Sequence, residues 1–232
     1  AIAARFAAEG ASVIVNASRS SRQADMTLRS LSCGGKGQKH IFIRADIGKP
    51  AEIKAMMARI GRTYPRLDIL VNNAGITRFV EHEDLTGLTE GLFDEIYRVN
   101  LRGPYLCVKE ALRLLKKSDA AHVINIASIA SRTAVGSNIA YCATKAGLVN
   151  MTKSLARALA PDVRVNAVSP GLTETDLIKE WGDYRREQIK KTPLGRLATR
   201  DDVADAVFAL AASLPYVTGQ ELAVDGGRTL AS

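Results

Sequence analysis

A tyrosine and a lysine stand four residues apart in "AYCATKAG", residues 140–147, inside a segment that otherwise reads as helix. On an α-helix positions i and i+4 share a face, so the ammonium of Lys145 approaches the phenol of Tyr141. A phenol with an ordinary pKa of about 10 shuttles protons poorly at neutral pH, and a fixed neighbouring cation is predicted to favour the phenolate and lower that value. The same pair occurs on ordinary amphipathic helices. Its meaning depends on what the other elements bring beside it.

Six short apolar runs supply those elements: "SVIVN" (12–16), "HIFIRA" (40–45), "ILVNN" (69–73), "HVINIAS" (122–128), "VRVNAVS" (163–169) and "ELAVD" (221–225). Helical patterns lie between them, the clearest over 138–160, where Leu148, Thr152, Leu155 and Leu159 recur at near-helical spacing. The alternation predicts an α/β fold, a doubly wound parallel sheet of Rossmann-like type covered by helices on both faces, in one domain over 1–232. In such a sheet ligands bind beyond the carboxyl ends of the strands. "NNAG" (72–75) follows the third run there, Ser128 ends the fourth, and Pro170 and Gly171 follow the fifth. The cluster "CGGKG" (33–37) reads as a helix-to-strand loop.

Composition narrows the classes. With 47% hydrophobic and 24% charged residues, the 232-residue chain can bury a substantial core. No run approaches the roughly 18 consecutive apolar residues of a membrane span, which predicts a cytoplasmic protein with no membrane partner. Cys33, Cys107 and Cys142 are odd in number and far apart, and His40, His82 and His122 show no ligand spacing. Reduced thiols and no metal site are expected. The formal charge of +8 favours anionic ligands, yet the basic residues are spread along the chain and only 5% of residues are aromatic. Nucleic acid is therefore not the expected partner. Residues 179–191, "KEWGDYRREQIKK", mix both signs and read as a solvated helix face.

Taken together, "NNAG", "NLRG" (100–103), "NIASIAS" (125–131), "YCATK" (141–145), "SPGLTETD" (169–176) and "YVTGQELAVDGG" (216–227) resemble the short-chain dehydrogenase/reductase family along essentially the whole chain. Ser128 stands thirteen residues before Tyr141, in the family's order and spacing. The resemblance implies that Tyr141 is the general acid/base toward a carbonyl or alcohol substrate. It implies that Lys145 binds the nicotinamide ribose and tunes Tyr141, that Ser128 binds the substrate oxygen, and that Asn100 holds a water completing a proton relay. It implies further that Asp46 and Ile47 meet the adenine, that Asn72, Ala74 and Gly75 pack on its ribose, and that Thr173 and Thr175 meet the carboxamide and pyrophosphate beyond Pro170 and Gly171. A homodimer or homotetramer is implied too, consistent with an apolar helix surface around 148–159. The alternative is a non-catalytic member of the same fold that binds cofactor or regulates.

The choice of cofactor can be argued from the residues. The first run ends in Asn16, Ala17, Ser18 and Arg19, with no acidic residue before Asp25. A carboxylate at that strand end would accept from a ribose 2′-hydroxyl, whereas a 2′-phosphate wants hydroxyls and a guanidinium. NADP(H) is therefore expected over NAD(H). Two features depart from the bacterial 3-oxoacyl-[acyl-carrier-protein] reductases that the chain otherwise resembles, which suggest a 3-oxoacyl thioester substrate. Residues 76–99 run a few residues longer, and the chain opens on a helix-like "AIAARFAAEG" with no strand or glycine-rich turn feeding it. About twenty further residues before Ala1 are expected on that ground, forming the strand between the runs at 12–16 and 69–73.

Overall fold

The computed structural model describes residues 1–19, 22–31, 37–175 and 182–230. Residues 33–36 of the expected loop and 179–181 of the expected solvated segment lie outside the described residues, as do 176–178 before that segment. Helix α1 (Ile2–Ala8) leads into β1 (Ile14–Ala17), α2 (Arg22–Ser30), β2 (Ile41–Arg44), α3 (Pro50–Thr63) and β3 (Ile69–Asn72). Then come α4 (Glu90–Tyr97), a π-helical turn (Arg98–Arg102), α5 (Gly103–Leu115), β4 (His122–Ile126), α6 (Ala130–Thr133), α7 (Ile139–Leu159) and β5 (Arg164–Pro170). Helices α8 (Gly182–Lys190) and α9 (Arg200–Ala212), strand β6 (Glu221–Val224) and a 3₁₀ turn (Arg228–Leu230) follow. Each of the six apolar runs becomes a strand, with ends shifted by at most two residues.

Every strand pairing is parallel. The expected sheet is divided in two: β1 pairs with β2, and a separate four-stranded sheet has the order β3-β4-β5-β6. Among the described residues the facing edges of β1 and β3 pair with no strand. Both edges border one opening of about 2940 Å³ that continues to Ser128, Tyr141 and Lys145. Ligand pockets usually hold about 300–1,000 Å³, so this opening comprises the space between the two sheets as well as a cleft at the strand ends.

Strand periodicity explains why both faces carry helices. Along β4, fully buried throughout, Val123 joins a core with Ile53, Met56, Ile60, Val108 and Leu115 of α3 and α5. Its neighbours Ile124 and Ile126 point the other way, into a core with Phe6 of α1 and Val203, Val207 and Leu210 of α9. Phe6 meets Phe208 edge to face with centroids 5.3 Å apart, which fastens α1 to α9. Helix α7 turns Leu148 and Thr152 inward, where both are buried, so Leu148 is core and not the exposed strip the sequence suggested. The exposed apolar groove lies beside it, between Tyr97, Leu101 and Tyr105 on one wall and Met151 on the other. Among the described residues no helix is long and apolar enough to cross a membrane.

Candidate active site

Tyr141 sits in the first turn of α7. Asn138 precedes that helix in extended conformation and its side-chain oxygen accepts from the Tyr141 N–H at 2.7 Å, the arrangement of a helix N-cap. Lys145, one turn on, is buried, with its Nζ 5.6 Å from the centre of the Tyr141 ring and donating to Ile126 O at the end of β4 at 2.8 Å. The i, i+4 spacing thus brings the two groups together as read from the sequence.

Their electrostatics differ from expectation. Burial raises the Tyr141 pKa above its ordinary value, and a hydrogen bond with the Ser128 side chain opposes that rise only in part. Burial also pushes the Lys145 ammonium down to about 8. The expected lowering of the phenol pKa does not occur because Nζ is directed at a backbone carbonyl and lies against the ring rather than on the hydroxyl, while desolvation acts on both groups.

Ser128 follows β4 and opens the turn into α6. Its Oγ accepts from Ala130 N at 3.2 Å, so the hydroxyl proton remains available to a further acceptor. Gly136 lies behind the tyrosine: a Cβ there would stand 2.9 Å from Cys142 Sγ and 3.3 Å from Tyr141 Cδ1, so a side chain would displace the thiol and press on the ring. Two hydroxyls, Ser128 and Tyr141, are therefore held together at one mouth of the opening.

Asn100 is buried in the π-helical turn and grips the loop after β3 with both ends of its amide. Oδ1 accepts from Ile76 N at 2.8 Å and Nδ2 donates to Ile76 O at 2.9 Å. The side chain is committed to that loop, so its contribution near Lys145 comes through the loop it holds. A Cβ on Gly75 would lie 3.4 Å from Asn100 Oδ1 and 3.7 Å from Lys145 Nζ, which makes the glycine's flat backbone part of the cradle around the ammonium. Ala74 and Gly75 are exposed to the opening. Asn72 also borders it, but its amide points inward and donates to Asn125 Oδ1 at 2.8 Å.

At the far end of the opening, Asn16 Nδ2 donates to the carbonyls of Ile43 and Ala45 at 3.0 Å each and ties β1 to the end of β2. Ser18 and Arg19 are exposed beyond it on the rim. Asp46 closes a turn by accepting from Gly48 N at 2.8 Å, and Ile47 packs into the core while still bordering the opening. Pro170 ends β5, and Gly171 N donates to Val224 O at 2.9 Å. Thr173 forms a parallel bridge with Ala198, and the half-buried Thr175 is the last described residue before 176–181. Of these, Pro170, Gly171 and Thr173 line the opening.

The donor set suits a dinucleotide. A buried ammonium with one hydrogen bond to a carbonyl keeps two donors for ribose hydroxyls, and the rim at β1 carries a guanidinium with no carboxylate in residues 16–19. Arg44, in register with Ala17, borders the same opening and adds a second cation that the sequence did not single out. Asn138 was also missed; an asparagine three residues before Tyr141, at a helix start, was the available signal. Cys107 and Cys142 are free and buried, and Cys33 lies outside the described residues. Among the described residues no group of three or more histidine, cysteine or acidic side chains could hold a metal ion.

A family model described as enoyl-(acyl carrier protein) reductase matches residues 1–229. A ketoacyl reductase of the granaticin polyketide synthase of Streptomyces violaceoruber is 37% identical over 99% of this chain and 90% of its own length. The 3-oxoacyl-[acyl-carrier-protein] reductase of Staphylococcus aureus is 34% identical over 97% of this chain and 91% of its own. Among solved structures, a short-chain dehydrogenase/reductase from Burkholderia xenovorans superposes with a TM-score of 0.90 at 34% identity, covering 99% of this chain and 92% of that one. A gluconate 5-dehydrogenase from Burkholderia cenocepacia, in complex with NADP and tartrate, does so with a TM-score of 0.87 at 29% identity, covering 100% and 90%. With its motifs in order and its hydroxyl pair and buried lysine brought together, the chain belongs to the short-chain dehydrogenase/reductase family and is an oxidoreductase.

Proposed function

We propose that this oxidoreductase interconverts a carbonyl and a secondary alcohol with NADP(H), and that a 3-oxoacyl thioester is its carbonyl substrate. The observation that carries the reading is the pairing of the Ser128 and Tyr141 hydroxyls at the mouth of the opening, with the Lys145 ammonium buried behind the ring. Two O–H donors aimed at one place suit an oxygen that gains negative charge and then keeps a proton. Reduction of a carbon–carbon double bond, the reaction in the family model's description, leaves its proton on carbon instead. The relatives named as ketoacyl and 3-oxoacyl reductases support the carbonyl reading, and none supports the non-catalytic alternative.

When bound, the dinucleotide supplies the hydride that reaches the carbonyl carbon. Ser128 and Tyr141 hold the carbonyl oxygen by donating to it, and the Tyr141 proton passes to that oxygen as it becomes the alcohol. Lys145, fixed by Ile126 O, keeps a positive charge beside the ring as the phenolate forms. Asn100, by gripping Ile76, holds the loop that borders Lys145, along which a water-borne proton can return to the site. Lys145 would hold the nicotinamide ribose; Ala74 and Gly75, with Asn72 beneath them, would border the adenine ribose; Ser18 and Arg19, with Arg44 beside them, would hold the 2′-phosphate; Asp46 and Ile47 would border the adenine; and Thr173 and Thr175 would lie at the carboxamide and pyrophosphate. The groove between Tyr97, Leu101, Tyr105 and Met151 supports assembly as a homodimer or homotetramer, which light scattering of the purified protein tests.

The function is tested by following NADPH absorbance with 3-oxoacyl thioesters, simple ketones and keto sugars. The highest kcat/KM is expected with a 3-oxoacyl thioester. Consumption of NADPH with keto sugars alone would overturn the substrate, and tight NADPH binding with no turnover on any carbonyl compound would overturn the reaction.

A further inference from the structure

Asn138 is 1% exposed, and every polar atom of its amide is engaged in a different part of the site. Its Oδ1 accepts from Tyr141 N at 2.7 Å, fixing the first turn of α7. Its Nδ2 donates to Arg78 O at 2.7 Å and to Thr77 Oγ1 at 3.2 Å, in the loop that borders the mouth of the opening. The same loop is joined to residue 137 twice more, by Val80 N donating to Ser137 O at 2.9 Å and by a hydrogen bond between the Thr77 and Ser137 hydroxyls. His82 Nε2–H donates to Gly136 O at 3.2 Å, and Gly136 is the residue that packs against the tyrosine ring. Ile76, one residue before Thr77 in the loop, is gripped by Asn100 in the same two-ended manner.

We propose that Asn138 is a positioning residue of the reaction, one buried amide that sets Tyr141 in register with the loop walling the substrate mouth. The proposal rests on the reading of Tyr141 as the group that exchanges a proton with the substrate oxygen. A cap alone could be supplied by serine, threonine or aspartate. Only a carboxamide places an acceptor on the helix and two donors on a facing loop at once. The acceptor half governs where the phenol stands, and small displacements of a reacting group cost rate steeply. The donor half governs where residues 77 and 78 stand, and so the fit of the carbonyl compound.

The two halves separate in two variants. Asn138→Ala removes both and is expected to lower kcat by about tenfold to a hundredfold and to raise KM for a 3-oxoacyl thioester, with NADPH affinity by fluorescence changed less than about twofold. Asn138→Ser restores the cap acceptor without the amide donors. Its kcat should return to within about threefold of the parent while KM stays raised severalfold. A residue that serves only folding would lower the melting temperature in both variants and leave kcat per folded molecule and KM unchanged, and that result overturns the proposal. So does a serine variant whose kcat is no better than alanine's. Should the parent turn over no carbonyl compound, the proposed reaction fails on its own. The Tyr141 titration, read as the difference in phenolate absorbance between each protein and its Tyr141→Phe counterpart, then decides. A midpoint that moves in Asn138→Ala and returns in Asn138→Ser supports the positioning role, and one that stays put in both overturns it.

Discussion

Replacing Tyr141 by Phe keeps the ring that packs on Gly136 and deletes only the ionisable hydroxyl. It is expected to lower kcat by at least about a hundredfold, as loss of a general acid does, with little change in NADPH affinity; turnover within about threefold of the parent would remove Tyr141 from the role. Lys145 offers a second test, of stability. Its folded pKa is lowered to about 8 from 10.5, so below pH 8 both folded and unfolded chains carry the charge and the folded one bears the full cost of burying it. Between those values the unfolded chain binds more protons, and stability rises with pH. That lowering corresponds to about 3 kcal/mol, against about 1 kcal/mol for the hydrogen bond to Ile126 O. Lys145→Met should therefore be inactive yet melt higher than the parent at pH 7, with the gap closing as pH rises toward 10.5. A variant that melts lower at pH 7 would contradict this sign. Residue types and spacing made Ser128, Tyr141 and Lys145 legible in the sequence. The direction of the Tyr141 shift was not, because it depends on burial and on which atom Nζ faces, and neither Asn100's grip on Ile76 nor Asn138's double attachment is encoded in local spacing.

Between elements, a chain of buried polar groups crosses the layers: Asn72 Nδ2 donates to Asn125 Oδ1 at 2.8 Å, Asn125 Nδ2 to Thr152 Oγ1 at 2.8 Å, and Thr152 Oγ1 to Leu148 O at 2.8 Å. It links β3, β4 and α7, the three elements whose ends carry Gly75, Ser128 and Tyr141. Thr152→Val has nearly the same shape but leaves the fully buried Asn125 amide without its acceptor, at a cost of about 1–3 kcal/mol. A fall in melting temperature of roughly 2–12 °C follows for a domain of this size. An unchanged melting temperature for Thr152→Val would mean that the chain contributes nothing to holding the strand ends in place. The elements themselves were legible to within two residues at each strand end, because fully buried parallel strands are near-continuous apolar runs and α7 carries its own cap. Leu148 misled as a surface residue: helical spacing identifies one apolar face, and α7 turns that face to the sheet while Met151, beside it, lines the groove.

Across the whole molecule, the opening joins groups from both hydrogen-bonded sheets: Arg19 and Arg44 at the ends of β1 and β2, Lys145 and Thr173 beyond β4 and β5. A ligand long enough to touch both ends would couple the two sheets, and its binding would raise the stability of the molecule as a unit. At about a hundredfold excess over Kd a ligand that binds only the folded chain adds about 2.7 kcal/mol, roughly 5–11 °C of melting temperature for a domain of this size. The order of the elements foretold that such a cleft would lie at the strand ends, and the division falls between β1 and β3, the two runs between which the sequence reading expected a further strand. The cofactor preference belongs to this scale because only one end of the cleft can sense the 2′-phosphate. NADPH should therefore raise the melting temperature more than NADH at equal concentration. Arg19→Ala should abolish most of that difference by removing a charge-assisted contact of roughly 1.5–3 kcal/mol, and should leave the NADH shift unchanged. Arg44→Ala should remove a smaller share, since Arg44 stands one strand further out. Equal shifts for the two dinucleotides in the parent protein would overturn the NADPH preference. A loss of both shifts in Arg19→Ala would instead place that arginine at a group the two cofactors share.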